Sequence, residues 1–419
     1  MEICNSRKSE KTSFLLKIVI VLALFVNEDI LVFGTLGDAY LIGFRYFVQF
    51  ALFVVLMLRA IMLDRIKIDR ASWFLFMMAL LLMCSLIINA DFRNGYFVLI
   101  LILSISFLLL KVASFNAIMD VFFNVMTFIS FYSLVVFTIT KIDSYWLSSF
   151  PIIKNIADNE FYFVLFTNVP LNHGGLLRNY GPFREPGVFQ MFIIIALIYG
   201  LFIKKQKSLP KIMANFLAII TTFSTTGYIV AGIVVLALLF DFEKENRKVK
   251  YTTILVLFCI ILYMALFTDL LYREDYGSVF GKLWNRDSLS FNARWGSVIL
   301  NLRMFKQAPF FGKGITYVDT NFPLLAFEEF EYYINDNTNT LLIQLSMFGI
   351  LYVLMYLIGF VITVFYNYRT NIFCKLLILA SLLVMLVGEN LTYSILLSVF
   401  IFAGVVEWSA RIPYYGFYC

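Results

Sequence analysis

The succession of long apolar runs constrains this chain more than any other feature. The runs are about 16–24 residues long and do not alternate strictly between apolar and polar residues. A helix needs about 20 apolar residues to cross the ~30 Å hydrocarbon core of a bilayer, whereas the strands of a membrane β-barrel alternate. Helices and closed barrels are the structures that satisfy their backbone in lipid, so the runs predict transmembrane α-helices.

Composition excludes several classes of protein. Of the 419 residues, 61% are hydrophobic and 14% are charged, compared with about 45–50% and about 25% in soluble domains. The chain has 1 histidine, and its 5 cysteines are scattered, so we predict no metal site and no cofactor. The net charge of +6 is explained by basic residues at the ends of membrane helices, and we predict no nucleic-acid binding.

The distribution of lysine and arginine predicts the orientation of the helices. Basic residues cluster in four segments, which are residues 7–17, 59–70, 204–211 and 244–250. Such clusters mark the cytoplasmic ends of membrane helices. We therefore predict an all-α polytopic integral membrane protein, with a single transmembrane domain over residues 1–419 and both termini in the cytoplasm. The two long segments between helices, residues 141–186 and 268–337, are predicted to be outward-facing loops.

The pattern predicts about 12 transmembrane helices. Their approximate bounds are residues 14–33, 41–63, 73–88, a fourth helix that ends at Lys111, 118–140, 188–203, two short helices within 211–240, and then 251–267, 339–366, 373–387 and 391–408. The run at 211–240 is broken by Ser224-Thr225-Thr226-Gly227, and one helix of its length would cross the bilayer only with a steep tilt. We therefore predict a turn at this break, where the N-terminus of the second helix is a reasonable anion site.

Residues 178–187, which read Arg-Asn-Tyr-Gly-Pro-Phe-Arg-Glu-Pro-Gly, form the densest ionisable turn at a predicted membrane edge. Two arginines and a glutamate directly precede the apolar run at 188–203. Ionisable groups at such a position are functional candidates. We predict that this turn is one wall of an active site on the outer face of the membrane, and that the loop around Arg294 and Arg303 is the other wall.

These residues resemble a known family, the O-antigen and capsule repeat-unit polymerases of the Wzy type. The segments that resemble it, in the same order, are the turn at 178–187, the break at 224–227, Asn292-Ala293-Arg294-Trp295, Pro309-Phe310-Phe311-Gly312-Lys313-Gly314, and Thr338-Asn339 with Phe348-Gly349-Ile350. The resemblance covers the order of elements from about residue 170 to 360. It implies a glycosyltransferase of the bacterial cytoplasmic membrane that polymerises undecaprenyl-diphosphate-linked oligosaccharide units at the outer leaflet into O-antigen, capsule or exopolysaccharide. The implied partners are that lipid-linked oligosaccharide, membrane lipid, a flippase and a chain-length regulator.

Two other functions are kept as alternatives. The related O-antigen ligases share this layout, but they usually carry a histidine just before the helix that follows the second long loop. The present chain reads Asp336-Asn337-Thr338-Asn339 there, which favours a polymerase. A transporter of polysaccharide or lipid-linked oligosaccharide would concentrate charge near the middle of its helices, whereas most charges here lie at helix ends or in the two loops.

The implied reaction needs cations that hold the leaving diphosphate and a base that takes the acceptor proton. The planar fork of arginine matches phosphate oxygens, so we predict that Arg178, Arg184, Arg294 and Arg303 bind the diphosphate. The alternative for each arginine is contact with lipid headgroups or an ion pair with a nearby acid.

Glu185 is the predicted base, or a ligand of the acceptor sugar. Its alternative role is a capping carboxylate at the N-terminus of the following helix, where Pro186 would occupy the first turn. Further candidates for binding sugar are Asp336, Asn337, Asn339 and Glu389. The alternative for the group at 336–339 is an N-cap of the next helix, and for Glu389 it is a solvated acid in a turn.

Overall fold

The computed structural model describes residues 13–26, 30, 39–154, 159–171, 177–241, 251, 289–331, 334 and 337–411. Most of the predicted helix at 251–267, the loop residues 268–288 and Asp336 lie outside these ranges. The helices in the described part are α1 (Phe14–Phe25), α2 (Ala39–Met62), α3 (Arg70–Ile88), α4 (Asn94–Val112), α5 (Phe115–Ile142), α6 (Pro186–Ile198), α7 (Leu209–Thr221), α8 (Thr225–Phe240), α9 (Leu289–Gln307), α10 (Ile315–Phe330), α11 (Thr340–Asn367), α12 (Ile372–Gly388) and α13 (Ile395–Arg411).

The helices confirm the predicted class, an α-helical membrane protein. Within the ranges given above, six segments are long and apolar enough to cross a membrane, and five further apolar helices are shorter. The six are Gly43–Met62, Arg70–Ile88, Asn94–Val112, Phe115–Ile142, Pro186–Ile203 and Thr340–Asn367. Two predicted bounds are wrong at their ends, since α1 ends at Phe25 rather than near residue 33 and α13 begins at Ile395 rather than near residue 391.

Helix α6 lies at the centre of the bundle. All 13 of its residues are buried, and it continues as one π-helical segment, Tyr199–Ile203. It packs against α5, α7, α8 and α12. Because these neighbours surround it, α6 is apolar on every side, which is the pattern expected of a helix enclosed by others.

The run at 211–240 folds as the two short helices that the sequence predicts. Helices α7 and α8 contain 13 and 16 residues, which at ~1.5 Å per residue is about 20 and 24 Å. The turn between them has Phe223 at a φ of 47°. Ser224 is the N-cap of α8 and its hydroxyl accepts a bond of 3.5 Å from the Gly227 amide, so the Ser-Thr-Thr-Gly break starts a helix.

The first long loop contains a small sheet that the sequence analysis did not predict. Strands β1 (Ile152–Lys154), β2 (Glu160–Val164) and β3 (Thr167–Pro170) are antiparallel in the order β1-β2-β3. Strand β3 is joined to the turn at 178–187, because the amide of Asn168 and the hydroxyl of Thr167 both donate to the Gly181 carbonyl, at 2.7 and 3.1 Å. The sheet therefore holds this turn in place.

The segment 309–314 of the second loop fits into a break in α11. Gly349 interrupts α11 with a φ of 80°, and Gly312 has a φ of 69°. An added Cβ at Gly312 would lie 2.3 Å from the Met347 carbonyl carbon, and one at Gly349 would lie 2.2 Å from the Phe310 carbonyl oxygen. The two backbones touch directly, so both positions need glycine.

Backbone hydrogen bonds complete this contact. The amides of Lys313 and Gly314 donate to the carbonyls of Ser346 and Met347, at 2.8 and 3.0 Å, and the Ile350 amide donates to Pro309 at 2.8 Å. These bonds satisfy groups that the break in α11 would otherwise leave unpaired. The two sequence segments around Gly312 and Gly349 therefore form one structural unit.

We expect Gly312→Ala to destabilise the protein by about 2–4 kcal/mol, because the new methyl group meets backbone and the positive φ disfavours alanine. Gly232→Ala is the matched control, since an added Cβ there has no atom within 4 Å and the helix interior favours alanine. Thermal unfolding of both variants in detergent measures the difference. Equal melting temperatures would contradict the contact.

Candidate functional site

Three helix ends meet through three glycines at one end of the bundle. An added Cβ at Gly187 in the first turn of α6 would lie 1.8 Å from Glu389 Oε1. At Gly227 in the first turn of α8 it would lie 2.6 Å from Gln190 Oε1, and at Gly388, the last residue of α12, 2.9 Å from the Thr226 methyl group. We call this meeting of the ends of α6, α8 and α12 the helix-end junction.

Glu389 is buried in this junction. Its side chain is 7% exposed and borders Gly187, where the unpaired amides of the α6 N-terminus favour negative charge. The alternative reading of Glu389 as a solvated turn acid is therefore wrong. Thr340 holds the backbone beside it, since the Thr340 amide and hydroxyl donate to the Glu389 carbonyl at 3.2 and 2.5 Å.

Arg178 is fixed by backbone carbonyls. Its Nε donates to the Thr222 carbonyl at 2.9 Å and an Nη donates to the Phe223 carbonyl at 3.2 Å. Both carbonyls follow the C-terminal end of α7, which is the negative end of that helix dipole. The two bonds use two of the five N–H donors of the guanidinium, so the group is oriented and retains donors for another partner.

Charges near Arg178 define the electrostatics of the junction. Burial lowers the pKa of the Arg178 guanidinium, while Tyr180 and then Glu389 and Glu185 act in the opposite direction. Arginine remains charged even with such a shift, because its ordinary pKa lies above 12. Burial also raises the pKa of the Tyr180 phenol, which stays protonated. The structure thus brings together one half-buried cation and two carboxylates.

Glu185 and Arg184 form an ion pair of 3.4 Å, with side chains that are 42% and 30% exposed. Glu185 is the N-cap residue of α6 and Pro186 begins the helix, as the alternative reading predicted, but the Glu185 side chain makes no capping hydrogen bond. Its carboxylate is therefore partly exposed to solvent near Arg178 and does not cap the helix.

The other two arginines lie on α9 and are separate from this group in the described contacts. Arg303 faces Glu328 and Glu329 of α10, with N–O distances of 3.8 Å to each carboxylate. It therefore pairs with nearby acids, as its alternative reading predicted. Arg294 is half-buried and lies one turn before Ser297 on the same helix face. Its place in a second wall stays a prediction.

The asparagines predicted to bind sugar are engaged within the protein. The Asn339 side chain accepts from the Leu342 amide at 3.0 Å, so it is the N-cap of α11, as its alternative reading predicted, and a role in sugar binding stays a prediction. Asn337 exchanges two hydrogen bonds with Asn301 of α9, at 2.8 and 3.3 Å. These bonds connect α9 to the start of α11, next to Glu389.

Gln190 is the junction residue that the sequence analysis missed. It is fully buried, and neither side-chain atom has a hydrogen-bond partner in the described part of the chain. It lies three residues after Gly187, so the two share a face of α6. The available signal was the single glutamine within the apolar run at 188–203. A polar residue inside a membrane helix is costly, so its presence there indicates a function.

Comparisons with protein-family models, with curated proteins and with solved structures found no match to this chain. Among the described residues, no group of three or more His, Cys, Asp or Glu side chains is arranged to hold a metal ion.

We expect Arg178→Ala to lower the stability by about 2–4 kcal/mol, because two carbonyls lose their donors and buried Glu389 loses a nearby cation. The matched control is Arg303→Ala, whose exposed ion pairs contribute less than about 1 kcal/mol. Thermal unfolding in the same detergent compares them. A larger loss for Arg303→Ala would show that Arg178 does not hold the junction.

Proposed function

We propose that this protein is a glycosyltransferase that polymerises undecaprenyl-diphosphate-linked oligosaccharide units into O-antigen, capsule or exopolysaccharide. The observation that carries the proposal is the oriented Arg178 guanidinium with two carboxylates beside it, at helix N-termini in a membrane protein. An immobilised cation suits the stabilisation of a diphosphate leaving group, because its orientation requires no further reorganisation during the reaction. The resemblance of residues 170–360 to the Wzy-type polymerases supports the same reaction.

The proposed orientation places the junction at the outer leaflet of the bacterial cytoplasmic membrane, with about 12 spans. The positions of basic residues support this orientation. Lys111 lies in the last turn of α4, and Lys204 follows the π-helical end of α6. Both helix ends are remote from the loops of the junction. Basic residues favour the cytoplasmic end of a membrane helix. A lipid diphosphate in the outer leaflet then has its phosphates at the depth of Arg178.

In the proposed reaction a sugar hydroxyl of one lipid-linked unit attacks the anomeric carbon of the glycan on another. The new oxygen–carbon bond forms as the bond from that carbon to the diphosphate oxygen breaks, and the electron pair leaves with the diphosphate. Arg178 stabilises the leaving charge, and Arg184 exchanges its partner Glu185 for a phosphate oxygen. Glu185, thus released, accepts the hydroxyl proton.

The test is chain extension by purified protein in lipid nanodiscs that contain the lipid-linked repeat unit. The expected product is a ladder of longer lipid-linked chains. A single transfer to another acceptor would indicate a ligase. Flux of the lipid-linked unit across liposomes that lack an acceptor, without any extension, would indicate a transporter. No product from a substrate of confirmed structure would contradict the proposal.

In cells, we expect Arg178→Ala to reduce the rate of extension by about 10²–10³-fold, since it removes a donor to the developing negative charge. The readout is the chain-length distribution of surface polysaccharide on a gel, which should collapse to single units. The control is Arg70→Ala, whose guanidinium stacks on Trp408 at the start of α3, away from the junction. A normal ladder from the Arg178→Ala variant, at a normal protein level, would show that Arg178 is not part of the site.

A further inference from the structure

Gln190 lies on the face of α6 that Glu389, at the end of α12, contacts through Gly187, and the surroundings of these two side chains indicate what they bind. The Glu389 carboxylate borders Gly187 and the Gln190 amide borders Gly227, so both side chains fill the space beside a glycine. Gln190 is 0% exposed and its Oε1 and Nε2 atoms have no partner in the described part of the chain. An unpaired buried amide is costly, so both atoms of the Gln190 amide are available to a ligand.

The chemistry of an amide restricts that ligand. Gln190 offers one acceptor and two donors, so a partner must both donate and accept hydrogen bonds. A diphosphate or a carboxylate only accepts and would leave Oε1 unpaired, and a lipid tail does neither. Two adjacent sugar hydroxyls satisfy the amide, since one donates to Oε1 while the other accepts from Nε2. The second hydroxyl then donates to the carboxylate of Glu389.

We propose that Gln190 and Glu389 bind the acceptor sugar of the transferase through a pair of adjacent hydroxyls. This inference rests on the proposed function. It assigns the two substrates to different parts of the site, because Arg178 binds the diphosphate of the donor and Gln190 binds the acceptor sugar. The first turn of α8, which contains Gly227 and Thr226, forms the floor of this subsite. The sugar enters beside the Glu389 carboxylate, whose two oxygens accept more than one hydrogen bond.

The test variant is Gln190→Met, which keeps the length of the side chain and removes both polar ends. The probe is the repeat-unit oligosaccharide as an octyl glycoside, which has no diphosphate and so acts only as an acceptor. The oligosaccharide is prepared from the single repeat units that accumulate in cells lacking the gene for this protein. We expect the KM of this acceptor to rise about tenfold or more, as for the loss of one or two hydrogen bonds, while the KM of the lipid-diphosphate donor stays unchanged.

Gln49→Met is the matched control. Gln49 is also 0% exposed, but it lies on α2, which packs mainly on α4 and α1. The KM of the acceptor should stay unchanged in this control variant. Gln190→Leu repeats the test if the methionine variant does not fold. An acceptor KM that is unchanged in a folded Gln190 variant would overturn the proposal and leave the amide to a buried water.

A second measurement separates this inference from the proposed function. Binding of the octyl glycoside is followed by the thermal shift that it produces, with no donor present. If the wild type binds it and Gln190→Met does not, the subsite stands even where no chain extension is seen. If the wild type extends chains but both proteins bind the glycoside equally, the polymerase proposal stands and the subsite is wrong. A wild type that does not bind the glycoside also overturns the subsite.

Discussion

Direct contact between backbones at interrupted helices is the constraint on which the rest of this structure depends. A helix that ends or breaks inside an apolar bundle leaves amides and carbonyls that lipid cannot satisfy. The chain meets this requirement with glycines that let another segment approach. Gly349 admits the segment around Gly312, and the carbonyls after α7 are taken by Arg178. Each break thereby creates a fixed polar position within a hydrophobic protein.

Glycines also bring segments into contact at the helix-end junction, where the proposed reaction takes place. Gly187, Gly227 and Gly388 allow three helix ends to touch, and the N-termini of α6 and α8 both contribute positive dipole ends there. A carboxylate, a buried amide and an oriented guanidinium are held together as a result. Such an arrangement separates two tasks, because the cation suits a diphosphate whereas the amide suits groups that both donate and accept.

Several features of the site were open to prediction from particular residues. The ionisable turn at 178–187, the helix pair around residues 224–227 and Pro186 at the first position of α6 all follow from local rules about charge, glycine and proline. The alternatives also followed from local rules, and some were correct, since Asn339 caps α11 and Arg303 pairs with acids. Local pattern decides how a residue can act, and only its neighbours decide which of those actions it performs.

The sequence by itself determined that this is an α-helical membrane protein, because the length and apolarity of its runs leave lipid as their natural solvent. It also determined the break at residues 224–227, between α7 and α8. Only the tertiary structure decided that Glu389 is buried against Gly187, although the two lie about two hundred positions apart. It likewise decided that the Gln190 amide has no hydrogen-bond partner among the described residues. The reason is physical: burial and pairing depend on which helices pack together, and that depends on contacts between distant segments.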